Sequence, residues 1–140
     1  METLSLRMQK HCDNALAIAE YLEGHDKIAW VSYAGLQSSP HHANARKYMK
    51  GQGGAVFTVG MKGGYDACVT MVKDLELFSH LANIGDTRSL IIHPASTTHS
   101  QLDSEGRKRA GAGDDVLRIS IGIETVEDLI ADLDRVLKTV

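Results

Sequence analysis

Cysteine is scarce in this sequence, and that limits how the fold can be stabilised. The only two cysteines, Cys12 and Cys68, are far apart, and each lies within a helix-like pattern of apolar residues. Two cysteines cannot define a disulfide framework. We therefore expect both to be buried, reduced thiols.

The sequence also lacks a long apolar run and an excess of positive charge. No stretch approaches the roughly 18 apolar residues of a membrane-spanning helix, and residues 1–5 lack the basic and apolar parts of a signal peptide. With 15 basic and 18 acidic residues, the net charge of −3 provides no broad cationic surface for a nucleic-acid backbone. We expect neither a membrane nor a nucleic-acid partner, and a cytoplasmic location.

Motifs of several common site classes are absent as well. The glycine-rich residues 51–64 match neither dinucleotide-binding nor P-loop spacing, so we interpret them as turns. His41 and His42 would point about 100° apart on a helix, and no thiol or acid cluster completes a metal site. There is no G-x-S-x-G elbow, and neither cysteine has the basic surroundings of a nucleophile. We expect no metal site and no hydrolase chemistry.

What the sequence does contain is an alternation of helical and strand-like segments. Apolar spacing predicts helices over residues 4–22, 41–49 and 65–83 and a last helix after Thr125, which with Asp128 resembles a capping box. Strands are predicted at 28–33, 55–61, 89–92 and 116–123, and residues 100–115 form an exposed connection. With 140 residues and no repeat, the pattern predicts one domain of the α/β class (α+β two-layer), with helices covering one side of a small sheet.

Arg118 is the most unusual residue of the last predicted strand, where Val116, Leu117, Ile119 and Ile121 surround it. A guanidinium among apolar side chains is costly unless it meets an anion, and its planar donors suit a carboxylate. Alternatively, Arg118 simply lies on the solvent-facing side of the strand with Ser120 and Gly122. Strand alternation alone gives the two interpretations about equal weight.

Two segments carry a family resemblance. The sequences SLIIHPASTTH (residues 89–99) and LRISIGIE (residues 117–124) resemble the pyridoxal-phosphate enzymes of cysteine and methionine metabolism. The longer sequence FSHLANIGDTRSLIIHPASTTHSQL is similar to the O-acetylhomoserine sulfhydrylase branch in particular, and the likeness runs over essentially the whole chain. Cystathionine γ-synthases and methionine γ-lyases are the nearby alternatives.

The resemblance implies a fold and a set of site residues. Residues 1–140 would be the single C-terminal domain of a fold-type I pyridoxal-phosphate enzyme, with a small, mostly antiparallel sheet covered by helices. The parent enzyme would make homocysteine from O-acetylhomoserine and sulfide. Arg118 would bind the α-carboxylate of the substrate, Ser89 would line the same pocket, and Thr97 and Thr98 would border it.

The resemblance also implies what this chain would need from elsewhere. Family members are about three times as long, and the upstream cofactor-binding domain supplies their Schiff-base lysine, so the chain should hold no catalytic or cofactor-binding residue and no covalently bound pyridoxal phosphate. The expected partners are that N-terminal domain, further copies in a homotetramer, and a small amino-acid substrate. Two other functions remain open: a stand-alone binding or assembly domain, and a regulatory domain that senses an amino acid through Arg118.

Overall fold

The computed structural model describes residues 2–140, which form one α/β domain with five helices and a five-stranded mixed sheet. The helices are α1 (Leu4–Glu23), α2 (His42–Tyr48), α3 (Gly64–Asp74), α4 (Ser104–Arg109) and α5 (Val126–Leu137). The strands are β1 (Ile28–Ser32), β2 (Val56–Met61), β3 (Ser79–His80), β4 (Leu90–Ile92) and β5 (Val116–Ser120). The predicted α/β class is confirmed.

The sheet has the strand order β1-β2-β5-β4-β3. The pairs β1–β2, β2–β5 and β5–β4 are antiparallel, and only the edge pair β4–β3 is parallel. The sheet is therefore mostly antiparallel, as predicted, and β5 lies at its centre.

One face of the sheet is covered by helices, and the core lies between them. Helix α1 packs on α5 and β1, while α3 packs on α5, β2 and β5. Alternate strand residues face this layer because successive side chains of a strand point to opposite faces. The core residues that the three longest strands contribute are Ile28, Phe57, Val59, Met61, Leu117 and Ile119.

The opposite face is only partly covered. The short 3-10 turn Pro94–Ser96 contacts β5 on this side of the molecule. It begins at Pro94, which has no backbone N–H and so cannot continue the hydrogen bonding of β4. Trp30, which pairs with Gly60 across β1 and β2, remains 40% exposed. This partly open face carries the candidate site.

Helix α3 ends much earlier than predicted. The sequence pattern predicts a helix to Asn83, but the helix stops at Asp74 and Leu75 is extended. Beyond it the chain forms the two-residue strand β3, which was not predicted, and an exposed loop. The prediction was wrong because Leu75 and Phe78 are apolar at helical spacing but reach the core from a turn.

Two smaller predictions concern capping and cysteine. Thr125 is the N-cap residue of α5, but its side chain makes no capping hydrogen bond, so the predicted capping-box interaction is absent. Cys12 and Cys68 are both free and buried, as expected.

Candidate functional site

Arg118 lies in the middle of the sheet on the face away from the helix layer. Its neighbours Leu117 and Ile119 are core residues, so strand alternation directs Arg118 to the other side. Across the sheet it pairs with Thr58 on β2 and with Ile92 on β4. The guanidinium thus projects from the rigid centre of the sheet.

An open groove of about 470 Å³ surrounds the Arg118 side chain. Its lining residues are Ala82, Asn83, Ile84, Ile92, Thr98, His99 and Arg118. No acidic side chain is among them, and none of the ion pairs formed within residues 2–140 includes Arg118. Among residues 2–140 the guanidinium makes a single hydrogen bond, a long one of 3.5 Å to the backbone oxygen of Asn83. Most of its donors are therefore free to bind an anion from outside.

Of the two predicted threonines, Thr98 lines the groove and Thr97 does not. Thr98 is exposed, and its hydroxyl lies 2.8 Å from Nδ1 of His99. The Thr97 hydroxyl donates a 2.8 Å hydrogen bond to the backbone oxygen of His93. The structure therefore brings Arg118 and Thr98 together, while the Thr97 hydroxyl closes the turn before them.

Ser89 is buried and does not line the groove. Its hydroxyl donates to Oε2 of Glu124 over 3.0 Å and accepts from the backbone N–H of Gly122 over 2.9 Å. Its own N–H donates to Oε1 of Glu124 over 2.6 Å. The Ser89 hydroxyl thus both donates and accepts a hydrogen bond within the protein.

His93 anchors the turn that leads to Thr98. The ring is buried, with Nδ1 2.9 Å from the Ser96 hydroxyl and Nε2 3.0 Å from the backbone oxygen of Asp114. The edge of the ring meets the Tyr65 ring at a centroid distance of 4.8 Å. Burial lowers the pKa of His93, which favours the neutral ring. His93 therefore has a structural role in holding the turn that precedes Thr98, and it does not itself line the groove.

Five lining residues were not among the predicted site residues: Ala82, Asn83, Ile84, Ile92 and His99. Ala82 and Asn83 were placed in the predicted helix 65–83, and Ile84 follows that range directly. The run Asn83, Gly85, Asp86 is rich in turn-forming residues, and Gly85 has a positive φ of 75°. That composition was the available sign of a loop here.

The other candidate site classes find no support in residues 2–140. This part of the chain contains no group of three or more His, Cys, Asp or Glu that could hold a metal ion. Burial raises the pKa of the Cys12 thiol and raises that of Cys68 to about 12, so neither is an activated nucleophile. Gly51 and Gly54 have positive φ angles, as turns require. No helix of the described residues is long and apolar enough to cross a membrane.

Comparison with known proteins gives a consistent result. Residues 1–138 match the family described as Cys/Met metabolism PLP-dependent enzyme. O-acetyl-L-homoserine sulfhydrylase 1 of Thermus thermophilus is 53% identical over 98% of this chain and 32% of its own length. L-methionine gamma-lyase of Fusobacterium nucleatum is 44% identical over 100% of this chain and 35% of its own length.

Solved structures agree with the sequence relatives. A structure described as an O-acetylhomoserine (thiol)-lyase from Campylobacter jejuni, with N'-pyridoxyl-lysine-5'-monophosphate, has a TM-score of 0.91 at 40% identity and covers 98% of this chain. A cystathionine gamma synthase from Xanthomonas oryzae, in complex with aminoacrylate and cysteine, has a TM-score of 0.88 at 42% identity. This chain spans about a third of the length of these proteins.

Proposed function

The chain belongs to the Cys/Met metabolism PLP-dependent enzyme family, and from this premise we propose that residues 1–140 are the C-terminal domain of an O-acetylhomoserine sulfhydrylase. The whole enzyme would make homocysteine from O-acetylhomoserine and sulfide, in the cytoplasm. Support comes from the name of the 53% identical Thermus protein, of which the chain covers 32%.

The observation that carries the proposal is the unpaired guanidinium of Arg118 in a groove without acidic side chains. A guanidinium binds a carboxylate through two parallel hydrogen bonds, which fixes orientation as well as position. The groove is large enough for a small amino acid. We therefore assign to Arg118 the binding of the substrate α-carboxylate.

The family depends on pyridoxal phosphate, and the groove fits the substrate rather than this cofactor. No lysine lines it, so it offers no amine for a Schiff base. When bound in the whole enzyme, pyridoxal phosphate would supply the electron sink for the amino-acid chemistry. Within this chain Arg118 would hold the carboxylate in place for that chemistry, which is a contribution of orientation. The N-terminal cofactor-binding domain is the proposed partner, within a homotetramer.

The other predicted residues differ in how directly they would contact the substrate. Thr98 borders the groove and would contact the bound amino acid directly. The hydroxyls of Ser89 and Thr97 are hydrogen-bonded inside the protein. We therefore propose that these two residues act indirectly, by fixing the backbone next to the site.

The test is a chimaera in which this chain replaces the matching third of the Thermus sulfhydrylase. If the assignment is right, the chimaera makes homocysteine from O-acetylhomoserine and sulfide. Arg118→Ala should then lower kcat/KM roughly ten- to a hundredfold, because a charge-assisted pair is lost. This corresponds to a loss of about 1.5–3 kcal/mol of transition-state stabilisation. Arg118→Lys should restore only part of this, since lysine cannot bind in bidentate geometry.

Arg109→Ala is the matched control, because Arg109 is an exposed arginine on α4 that does not line the groove. It should leave kcat/KM unchanged. An active chimaera whose kcat/KM survives Arg118→Ala would remove Arg118 from the substrate site. A folded chimaera without sulfhydrylase activity would contradict the domain assignment.

A second candidate function is favoured by the 44% identity to a methionine gamma-lyase and the 42% identity to a cystathionine gamma synthase. Here the chain would belong to an enzyme that uses cysteine as the nucleophile or cleaves methionine. Supplying the chimaera with sulfide, with cysteine or with methionine alone separates the three. A preference for sulfide favours the sulfhydrylase.

A further inference from the structure

The groove at Arg118 has one wall made of loop rather than sheet. Residues 82–88, here named the wall segment, connect β3 to β4 and supply Ala82, Asn83 and Ile84 to the lining. All three are exposed, so they have little apolar packing of their own to hold them. Something else must determine where this wall stands relative to Arg118.

One anchor of the wall segment is Glu124, which lies four residues after the end of β5. Both oxygens of its carboxylate bind Ser89, which follows the wall segment directly: Oε1 accepts from the N–H over 2.6 Å and Oε2 from the hydroxyl over 3.0 Å. Hydrogen bonds to a carboxylate are about twice as strong as neutral ones. The end of the wall segment is thereby tied to a residue 35 positions later.

The residues before Glu124 continue the same anchor. The N–H of Ile123 donates to the backbone oxygen of Thr87 over 3.0 Å. At Gly122 the two backbones approach so closely that a Cβ atom would overlap the Thr87 oxygen and the Glu124 carboxylate. The Gly122 N–H in turn donates to the Ser89 hydroxyl over 2.9 Å. Residues 122–124 therefore hold Thr87 and Ser89 at several points.

Helix α1 fixes this junction from behind. The Asn14 side chain donates to the backbone oxygens of Gly122 and Glu124 over 3.2 and 2.8 Å. Arg7 donates to the backbone oxygen of Gly85 within the wall segment over 3.3 Å. The wall segment is thus held by helix α1 as well as by residues 122–124.

We propose that Glu124 is a positioning residue that, by clamping Ser89, holds the wall segment beside Arg118 and so sets the shape of the groove for an amino-acid carboxylate. The inference rests on the proposed function of that groove. Glu124 itself does not line the groove, so it acts through Ser89 and the wall segment. Loss of the clamp loosens the wall and displaces the Asn83 oxygen from the guanidinium.

The test uses NMR on the 140-residue chain, comparing Glu124→Ala and Glu124→Gln with the wild type. Three quantities are measured: the amide exchange rates of Ser89 and Ile123, the Nε–Hε signal of Arg118 without ligand, and the dissociation constant of O-acetylhomoserine from the shift of that signal. Glu127→Ala is the control, because Glu127 is an exposed glutamate on the first turn of α5. It should change none of the three.

In Glu124→Ala we expect amide exchange at Ser89 and Ile123 to accelerate at least tenfold, on the order of one lost charge-assisted hydrogen bond. The ligand-free Arg118 signal should move, and the dissociation constant should rise roughly threefold or more, because the groove is no longer preorganised. Glu124→Gln keeps an acceptor for the Ser89 N–H and should lie between Glu124→Ala and the wild type.

Faster exchange with an unchanged Arg118 signal and affinity would overturn the inference, since Glu124 would then be only structural. If Glu124→Ala does not fold, the inference is tested with Glu124→Gln and the wild type instead. Wild-type Ser89 and Ile123 amides that exchange as fast as those of residues 84–86 would mean that no clamp exists. If O-acetylhomoserine leaves the wild-type signal unmoved, the isolated chain does not bind the substrate, and the clamp is then judged by the exchange rates and the ligand-free Arg118 signal. The proposed function is decided separately, by the activity of the chimaera.

Discussion

At the scale of single residues, His93 shows how burial sets a charge state. Its two ring nitrogens lie near the Ser96 hydroxyl and the Asp114 oxygen, so the neutral ring has both partners that it needs. Burial is the main cause of its lowered pKa, and the nearby Arg107 adds to it, while Asp114 opposes both. Protonation would bury a charge in a site built for the neutral form.

The folded protein should therefore lose stability as the pH falls below 6.5, the ordinary pKa of histidine. In that range the unfolded chain takes up a proton that the folded chain does not, until the pH reaches the lower folded pKa. Above pH 6.5 the contribution of His93 is fully present. The loss from one such group is at most about 1.4 kcal/mol per pH unit.

Replacement by His93→Gln should flatten this dependence between pH 7 and pH 5, as measured by urea unfolding at each pH. The exposed His41 gives the control His41→Gln, which should keep the wild-type slope. An unchanged slope in His93→Gln would show that other groups cause the acid sensitivity.

Residue roles were predictable from the sequence only in part. Strand alternation did not decide on which face of the sheet Arg118 lies. The structure places it on the face away from the core, because its neighbours Leu117 and Ile119 are core residues. The burial of Ser89 could not be foreseen, since its partner Glu124 lies 35 residues away and no local pattern pairs them. Long-range hydrogen bonds of this kind leave no periodic signal in a sequence.

At the scale of elements, the end of α3 depends on a side chain from another helix. Asp132 on α5 is 7% exposed, and its carboxylate accepts hydrogen bonds from the N–H groups of Glu76 (3.0 Å) and Leu77 (2.8 Å). Arg135 also donates to it. These bonds hold the chain in a turn just where apolar spacing would have continued the helix.

Asp132→Ala should therefore destabilise the protein by about 1.5–3 kcal/mol, since two backbone N–H groups lose a charged, buried acceptor. Chemical denaturation measures the change, and the slope with denaturant should stay the same. Asp128→Ala, on an exposed position one turn earlier in α5, should cost less than about 0.5 kcal/mol. An equally small cost for Asp132→Ala would mean that the turn forms without this carboxylate.

Most other elements followed from local pattern. The spacing of apolar residues located α1 and α5 closely, because each buries one stripe against the sheet. Strand β3 was missed because two residues, paired only with β4 at the sheet edge, are too short to show an alternation.

At the scale of the whole molecule, the two faces of the sheet differ in how well they are covered. Helices α1, α3 and α5 cover one face of the sheet, whereas the opposite face carries Arg118, its groove and the 40% exposed Trp30. The helix layer thus gives a stable base, and the open face remains available for binding. The two-layer arrangement was predictable from the order of elements, but which surface stays open depends on the loops.

This arrangement predicts an uneven distribution of stability. Strand β5 is flanked on both sides by antiparallel partners and contributes Leu117 and Ile119 to the core, so its amides should exchange only on global unfolding. Helix α4 contains no buried residue, and its amides should exchange through local opening, faster by roughly a hundredfold or more. Hydrogen exchange followed by NMR tests both statements. If α4 exchanged as slowly as β5, the exposed connection between β4 and β5 would have to be part of the same cooperative unit as the sheet.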